Sequence, residues 1–222
     1  MNEDTQSQQI DAESCTESWY TNIAKTPEEA EREYDKLSGS YDQVLAARDY
    51  RPPEDASNLL AELIDPAGTG RILEAGCGTG LIGAKLHEKG FKDITGMDIS
   101  ANCLKEAESK NAYTGTVKQN ILEPLPFAER SFDAVVCVAV FSRFDDQQIM
   151  AILKEFARIT RQGGIILFSH RTDLLESSSI LEKIEESDYL HLKFSSDPYK
   201  YIPGDEHYKD IFVRYFALEV TA

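Results

Sequence analysis

The 222-residue sequence predicts an α/β protein: a doubly wound, mostly parallel seven-stranded sheet, preceded by a helical cap and closed at one edge by an antiparallel C-terminal hairpin. Three observations predict it. Short apolar runs alternate with amphipathic stretches from residue 71 to about 188, the pattern of parallel strands joined by right-handed helical crossovers. A glycine-rich turn, Gly76-Cys77-Gly78-Thr79-Gly80, lies between the first apolar run and the first helical stretch after it. The last two strand patterns, 189–194 and 211–220, have no helix between them, so they pair with each other.

Before residue 70 the chain reads as helices without a strand partner. Thr26-Pro27-Glu28-Glu29 is a helix start, with a Thr N-cap, Pro in the first turn and acids beside the positive end of the dipole. That helix is expected over 27–37 and a second over 40–47. Pro52-Pro53 breaks the chain, and 54–63 follows as an amphipathic helix with Ala56, Leu59, Leu60 and Leu63 on one face. Residues 1–17 are polar and read as a flexible tail, giving three parts: tail 1–17, cap 18–69 and sheet domain 70–222.

Within the sheet domain, strands are expected at 71–75, 93–97, 113–119, 132–140 and 165–169. The fourth is nearly all apolar, as a central strand covered on both faces should be. Helices are expected at 81–89 with Gly90 as C-cap, 101–111 with Ser100 as N-cap, 147–160 and 173–186. Gly163-Gly164 marks a turn.

Charge narrows the partners. Thirty-nine acidic against 23 basic residues leave a formal charge of −16. Such a field repels phosphate backbones and anionic bilayers, so neither nucleic acid nor a membrane is expected as partner. It suits a small neutral or cationic molecule, or a basic protein segment. The four cysteines have no metal-binding spacing, so no metal is expected, and their usage fits a reducing cytoplasm. No apolar run is long enough to span a bilayer. Oligomeric state is not legible.

The glycine turn sits where doubly wound sheets bind ligands, beyond the carboxyl ends of the strands. Asp98 ends the second strand, where its carboxylate can accept both hydroxyls of a ribose. Gly78-Thr79-Gly80-Leu81-Ile82-Gly83 spells G-x-G-x-x-G, the dinucleotide fingerprint. Yet Glu74 ends the strand, and Gly76-Cys77 intervene before the match. An acid repels a pyrophosphate and attracts a cationic amino-acid cofactor, which favours S-adenosylmethionine over NAD. An NAD-linked oxidoreductase and a non-catalytic cofactor-binding regulator are the alternatives.

Glu74-Ala75-Gly76-Cys77-Gly78-Thr79-Gly80 resembles the first motif of class I S-adenosylmethionine-dependent methyltransferases, and Gly96-Met97-Asp98-Ile99-Ser100 resembles their second. Leu125-Pro126-Phe127 with Ser131-Phe132-Asp133-Ala134-Val135-Val136 resembles the approach to their fourth strand, and Arg158-Ile159-Thr160-Arg161-Gln162-Gly163-Gly164 the turn before their fifth. Tyr41-Asp42, Gly90-Phe91, Lys110-Asn111-Ala112-Tyr113 and Ala139-Val140-Phe141 are similar to the methyltransferase-like proteins of the Williams–Beuren chromosome region.

The resemblance implies a Rossmann-like methyltransferase fold, S-adenosylmethionine as cofactor and S-adenosylhomocysteine as product. It also implies site roles. Glu74 and the Gly76, Cys77 and Gly78 backbone would hold the methionine end. Asp98 would hold the ribose, Ile99, Asn120 and Ile121 the adenine. Val138 would offer a carbonyl to the amino group, and Tyr34 and Tyr41 would close over the methionine end. Phe141, Arg143 and His170 are candidates for a substrate pocket, with His170 and Asp145 as catalytic candidates. The acceptor is expected to be a small molecule, bound among the N-terminal helices, the 141–146 turn and the 199–208 loop.

Overall fold

The computed structural model describes residues 26–221; the expected tail, 1–17, lies outside them. Two helices come first, α1 (Pro27–Ala46) and α2 (Pro52–Leu63). The alternating unit follows: β1 (Arg71–Ala75), α3 (Leu81–Glu88), β2 (Asp93–Asp98), α4 (Ala101–Ser109), β3 (Gly115–Lys118) and β4 (Phe132–Cys137). After a 3-10 turn, Phe141–Arg143, come α5 (Asp146–Ile159), β5 (Thr160–Arg171), α6 (Thr172–Leu175), α7 (Ile180–Glu185), β6 (Leu190–Ser195), β7 (Tyr199–Lys200) and β8 (Phe212–Val220).

The strands form one sheet in the order β3-β2-β1-β4-β5-β8-β6, with the two-residue β7 also on β8. The first five are parallel. β8 runs antiparallel between β5 and β6, so the expected edge hairpin is present with its second strand on the inside. β4 is the central strand, and Ala134, Val135, Val136 and Cys137 are fully buried. One face packs on α5 and α7 through Phe141, Phe156 and Phe168; the other packs on α2 and α3 through Leu60, Leu86 and Tyr215.

Several boundaries differ from the sequence reading, each for a physical reason. α1 is one 20-residue helix, not two. An interior glycine costs a helix only about 1 kcal/mol relative to alanine, and Leu37, Val44 and Leu45 are buried on either side of Gly39. Pro52-Pro53 open α2 instead of preceding it, because the first turn needs no amide donors from these positions. β5 begins at Thr160 and runs through Gly163-Gly164, with a register shift against β4 and Gly163 at φ +73° taking up the irregularity. The single helix expected at 173–186 is two. Asp146 holds the break, accepting from the Ser178 hydroxyl (2.7 Å), the Ser179 amide (2.8 Å) and the Ser179 hydroxyl (2.9 Å).

Candidate active site

β1 lies between β2 and β4, and the chain leaves it in opposite directions on the two sides. At that switch point the carboxyl ends of the strands open into a cavity of about 270 Å³. Its floor is the glycine loop, Asp98 and the Val138-Ala139-Val140 segment; Tyr34 and Tyr41 of α1 roof it.

The loop is shaped by its own amides. Gly76 and Cys77 both donate to the Met97 carbonyl, at 2.7 and 3.0 Å, which folds the end of β1 onto the end of β2. Gly76 sits at φ +74°, and a Cβ there would stand 2.5 Å from Val140 Cγ2, so only glycine fits. The Gly78 amide donates to Asp98 Oδ2 at 2.8 Å, and the Ser100 amide donates to Oδ1 at 2.9 Å. Burial pushes the Asp98 carboxyl up, and these amides pull it back. Each oxygen keeps a lone pair toward the cavity.

Glu74 lies elsewhere. It does not line the cavity; it is buried beneath the loop, where Oε2 accepts from the Tyr113 hydroxyl at 2.8 Å and Oε1 has no hydrogen-bond partner. Burial raises its carboxyl to about 8, with Asp98 adding to the rise and Tyr113 opposing it. At neutral pH Glu74 is therefore mostly protonated. Any influence of Glu74 on the choice of cofactor is therefore exerted from beneath the loop; Asp98 is the acid that faces the cavity. Tyr113 was missed from sequence. The signal for it was local: Gly83 and Gly96, on the elements flanking Glu74, leave the space its ring fills.

α1 is fastened over the site by polar ties that hydrophobic patterning does not reveal. The Thr79 hydroxyl donates to Asp42, and Lys110 Nζ bridges Asp42 Oδ2 and the Thr79 carbonyl, both at 2.7 Å. Asp35 accepts from the Ser100 hydroxyl and the Asn102 amide at the start of α4. These ties place Tyr34 and Tyr41, seven residues apart on one helical face, over the loop.

A second cavity of about 240 Å³ adjoins the first, and Tyr34, Tyr41, Tyr50, Ala139 and Arg143 line both. Its remaining wall comes from the 199–208 loop, including Tyr201 and Tyr208, and from Arg171 at the end of β5. The structure thus joins the cap helices, the turn after β4 and the 199–208 loop, the three segments singled out from sequence.

Gly76, Cys77, Gly78, Asp98, Ile99, Asn120, Ile121 and Val138 all line the first cavity, as expected. Four other expected residues line neither cavity. Phe141 is core, with Phe168 at 5.1 Å between ring centroids. Asp145 caps α5, accepting from the Gln148 amide at 2.9 Å. Glu74 has been placed above, and His170 is the fourth. Because β5 continues to Arg171, side chains alternate past the point where the strand was expected to stop. Ser169, whose hydroxyl accepts from the Ala139 amide at 2.9 Å, and Arg171 face the site. His170 points the other way, and burial lowers its pKa. Among the described residues, no cluster of three or more His, Cys, Asp or Glu could hold a metal, and no helix is long and apolar enough to cross a membrane.

Comparison with known proteins agrees with this layout. Residues 72–164 match the methyltransferase domain family. The chain is 34% identical to human methyltransferase-like protein 27 over 145 residues, 63% of this chain and 57% of that protein. It is 31% identical to the malonyl-[acyl-carrier protein] O-methyltransferase of Hamiltonella defensa over 160 residues, 71% of this chain and 58% of that protein. The chain therefore spans less than two thirds of the length of these relatives. Among solved structures, the [4+2]-cyclase SpnF superposes with TM-score 0.70 at 14% identity, covering 90% of this chain and 98% of that one. The magnesium protoporphyrin IX methyltransferase of Synechocystis PCC 6803, with S-adenosylmethionine bound, gives TM-score 0.57 at 16% identity, covering 78% and 79%. At such identities the superpositions establish the fold, and that fold carries a cyclase as well as methyltransferases.

Proposed function

We propose that this chain, whose sheet domain is that of a class I S-adenosylmethionine-dependent methyltransferase, transfers the cofactor's methyl group to a small-molecule acceptor. The observation that carries the reading is Asp98. A half-buried carboxylate held by the Gly78 and Ser100 amides, with lone pairs left over, faces a roofed cavity at the switch point. That is the donor-seeking surface a ribose diol requires. Ile99 and Ile121 give the cavity apolar walls suited to adenine, and Asn120 stands beside them. Val138 and Ala139, past the end of β4, meet the side of the cavity shared with the second one.

When bound, the cofactor supplies a sulfonium methyl already activated for displacement. The chain then has to hold the acceptor in line and exclude water. The tyrosine roof, fastened by Asp35 and Asp42, supplies the exclusion. The relative named for demethylmenaquinone supports an acceptor of small-molecule kind, and the one named for malonyl-[acyl-carrier protein] supports a small acyl group held on a carrier.

Calorimetry and thermal unfolding test the cofactor reading. S-adenosylmethionine and S-adenosylhomocysteine are expected to bind and to stabilise by about 2.7 kcal/mol at a hundredfold excess over Kd, while NAD does neither. Binding of NAD without S-adenosylmethionine would sink the proposal. Transfer of labelled methyl into a metabolite extract tests the activity.

A further inference from the structure

We infer that the second cavity receives a carboxylate, and that a carboxylate oxygen of the acceptor is the atom methylated; the inference rests on the methyltransferase reading and names its substrate class.

The first ground is a local reversal of sign. The chain has 39 acidic and 23 basic residues, yet the described lining of this cavity contains Arg143 and Arg171 and no Asp or Glu. The global charge pointed to a neutral or cationic ligand; the cavity wall points to an anion. Arg171 is already committed, with Nε and Nη2 on Asp173 at 3.0 and 2.6 Å, so it is a fixed and largely neutralised cation. Arg143 is different. Nη2 donates to the Tyr34 hydroxyl at 2.8 Å, and the guanidinium lies 5.1 Å from the centre of the Tyr34 ring. Nη1 is buried and has no hydrogen-bond partner. Glu33 forms a long ion pair with Nη1 at 4.0 Å, beyond hydrogen-bond reach; burial pushes its carboxyl up and Arg143 pulls it down. A half-buried guanidinium with one buried, unpartnered N–H is costly until an acceptor arrives, and a carboxylate matches its fork.

The second ground is position. Arg143 ends the turn that follows β4 and lines both cavities, so an anion bound to it stands at their junction, beside the donor end of the cofactor cavity. The chemistry closes without a base. A carboxylate is ionised at neutral pH. One oxygen forms the new O–CH3 bond, the S–CH3 bond breaks, and its electron pair stays on sulfur. Carboxylate and sulfonium become a neutral ester and a neutral thioether, and no proton moves. The rest of the wall fits a flat or apolar body: Tyr50, Tyr201 and Tyr208 stand edge to face, with centroids 5.6 and 5.7 Å apart.

The test uses the whole chain, methyl-labelled S-adenosylmethionine and the low-molecular-weight fraction of a cell extract. Methyl esters release volatile labelled methanol in mild base; N-methyl, C-methyl and phenol ether products do not. The expected result is that most protein-dependent label is base-volatile. Base-stable label overturns the inference, as does cofactor binding with no label reaching a carboxylate. Failure to bind S-adenosylmethionine overturns the methyltransferase reading instead. With the ester-forming fraction as substrate, Arg143→Gln is expected to raise KM on the order of 10- to 100-fold, the worth of a charge-assisted hydrogen bond, and Arg143→Lys to recover part of it. An unchanged KM in Arg143→Gln removes Arg143 as the anchor.

Discussion

Glu74→Gln should stabilise the protein at neutral pH and abolish part of its pH dependence. Glu74 is 1% exposed, and burial raises its carboxyl from an ordinary 4.5 to about 8. Between these values the folded chain binds a proton that the unfolded chain releases. This contribution is therefore fully present below about pH 4.5 and is lost as pH rises toward 8. The loss is about 1.4 kcal/mol per pH unit, or up to ~5 kcal/mol across the window. Glutamine is the neutral isostere, and its amide oxygen can still accept from the Tyr113 hydroxyl. The two proteins should have similar stability near pH 5, and the variant should lead by roughly 2–3 kcal/mol at pH 7. Urea unfolding of both proteins in steps between about pH 5 and pH 8.5 measures this, and the difference between the curves cancels every other titrating group. Parallel curves would refute it, since they would mean that Glu74 is ionised in the folded state. Because Glu74 does not line the cavity, cofactor affinity should barely change; a loss of tenfold or more would return Glu74 to the binding site.

Asp98→Ala should weaken S-adenosylmethionine binding by about 1.5–3 kcal/mol, read by calorimetry, as for loss of a charge-assisted hydrogen bond; unchanged affinity removes the ribose role. Gly76→Ala should cost about 2–4 kcal/mol in urea unfolding, because left-handed backbone and contact with Val140 act together. Gly78→Ala should cost only about 1–2 kcal/mol, since φ is +52° but a Cβ there meets nothing within 4 Å; equal losses would contradict this account of the loop. Phe141→Ala should cost about 3–5 kcal/mol in stability, as a core residue packed against Phe156 and Phe168; a small loss with impaired turnover would make it a pocket residue after all.

What was legible in the sequence follows from what is local. Strand and helix periods are local, so the alternation from β1 to β5 could be read, and glycines with positive φ announced the loop. Asp98 was legible because a strand that ends at a loop leaves its last side chain there. His170 and Arg171 show where this fails. The face a side chain takes depends on strand register, and β5 runs two residues further than its apolar run because β8 pairs with it out to Arg171 and Val213. That long-range pairing moved the cavity-facing position from one residue to the next. The placement of Glu74 was hidden for a related reason: it lies under the loop against Tyr113, 39 positions away, and burial, which Tyr113 opposes, raises its carboxyl.

The acceptor side lies furthest from sequence because nothing local encodes it. Tyr34, Arg143 and Tyr201 come from the cap, the turn after β4 and the loop before β8, and they meet only when α1 is fastened across α4. The same sheet supports a cyclase and methyltransferases, so the fold cannot select the reaction. Net charge cannot select the substrate either, since the chain's −16 is an average and the second cavity departs from it. In the proposed reading, Arg143 lines the junction of the two cavities, and a bound cofactor would bring a second cation to the first of them. Two cations facing one gap disfavour each other until an anion fills it. On that proposal the acceptor's charge would follow from the pair and not from either group alone, and neither the cofactor motif nor the composition encodes the pair.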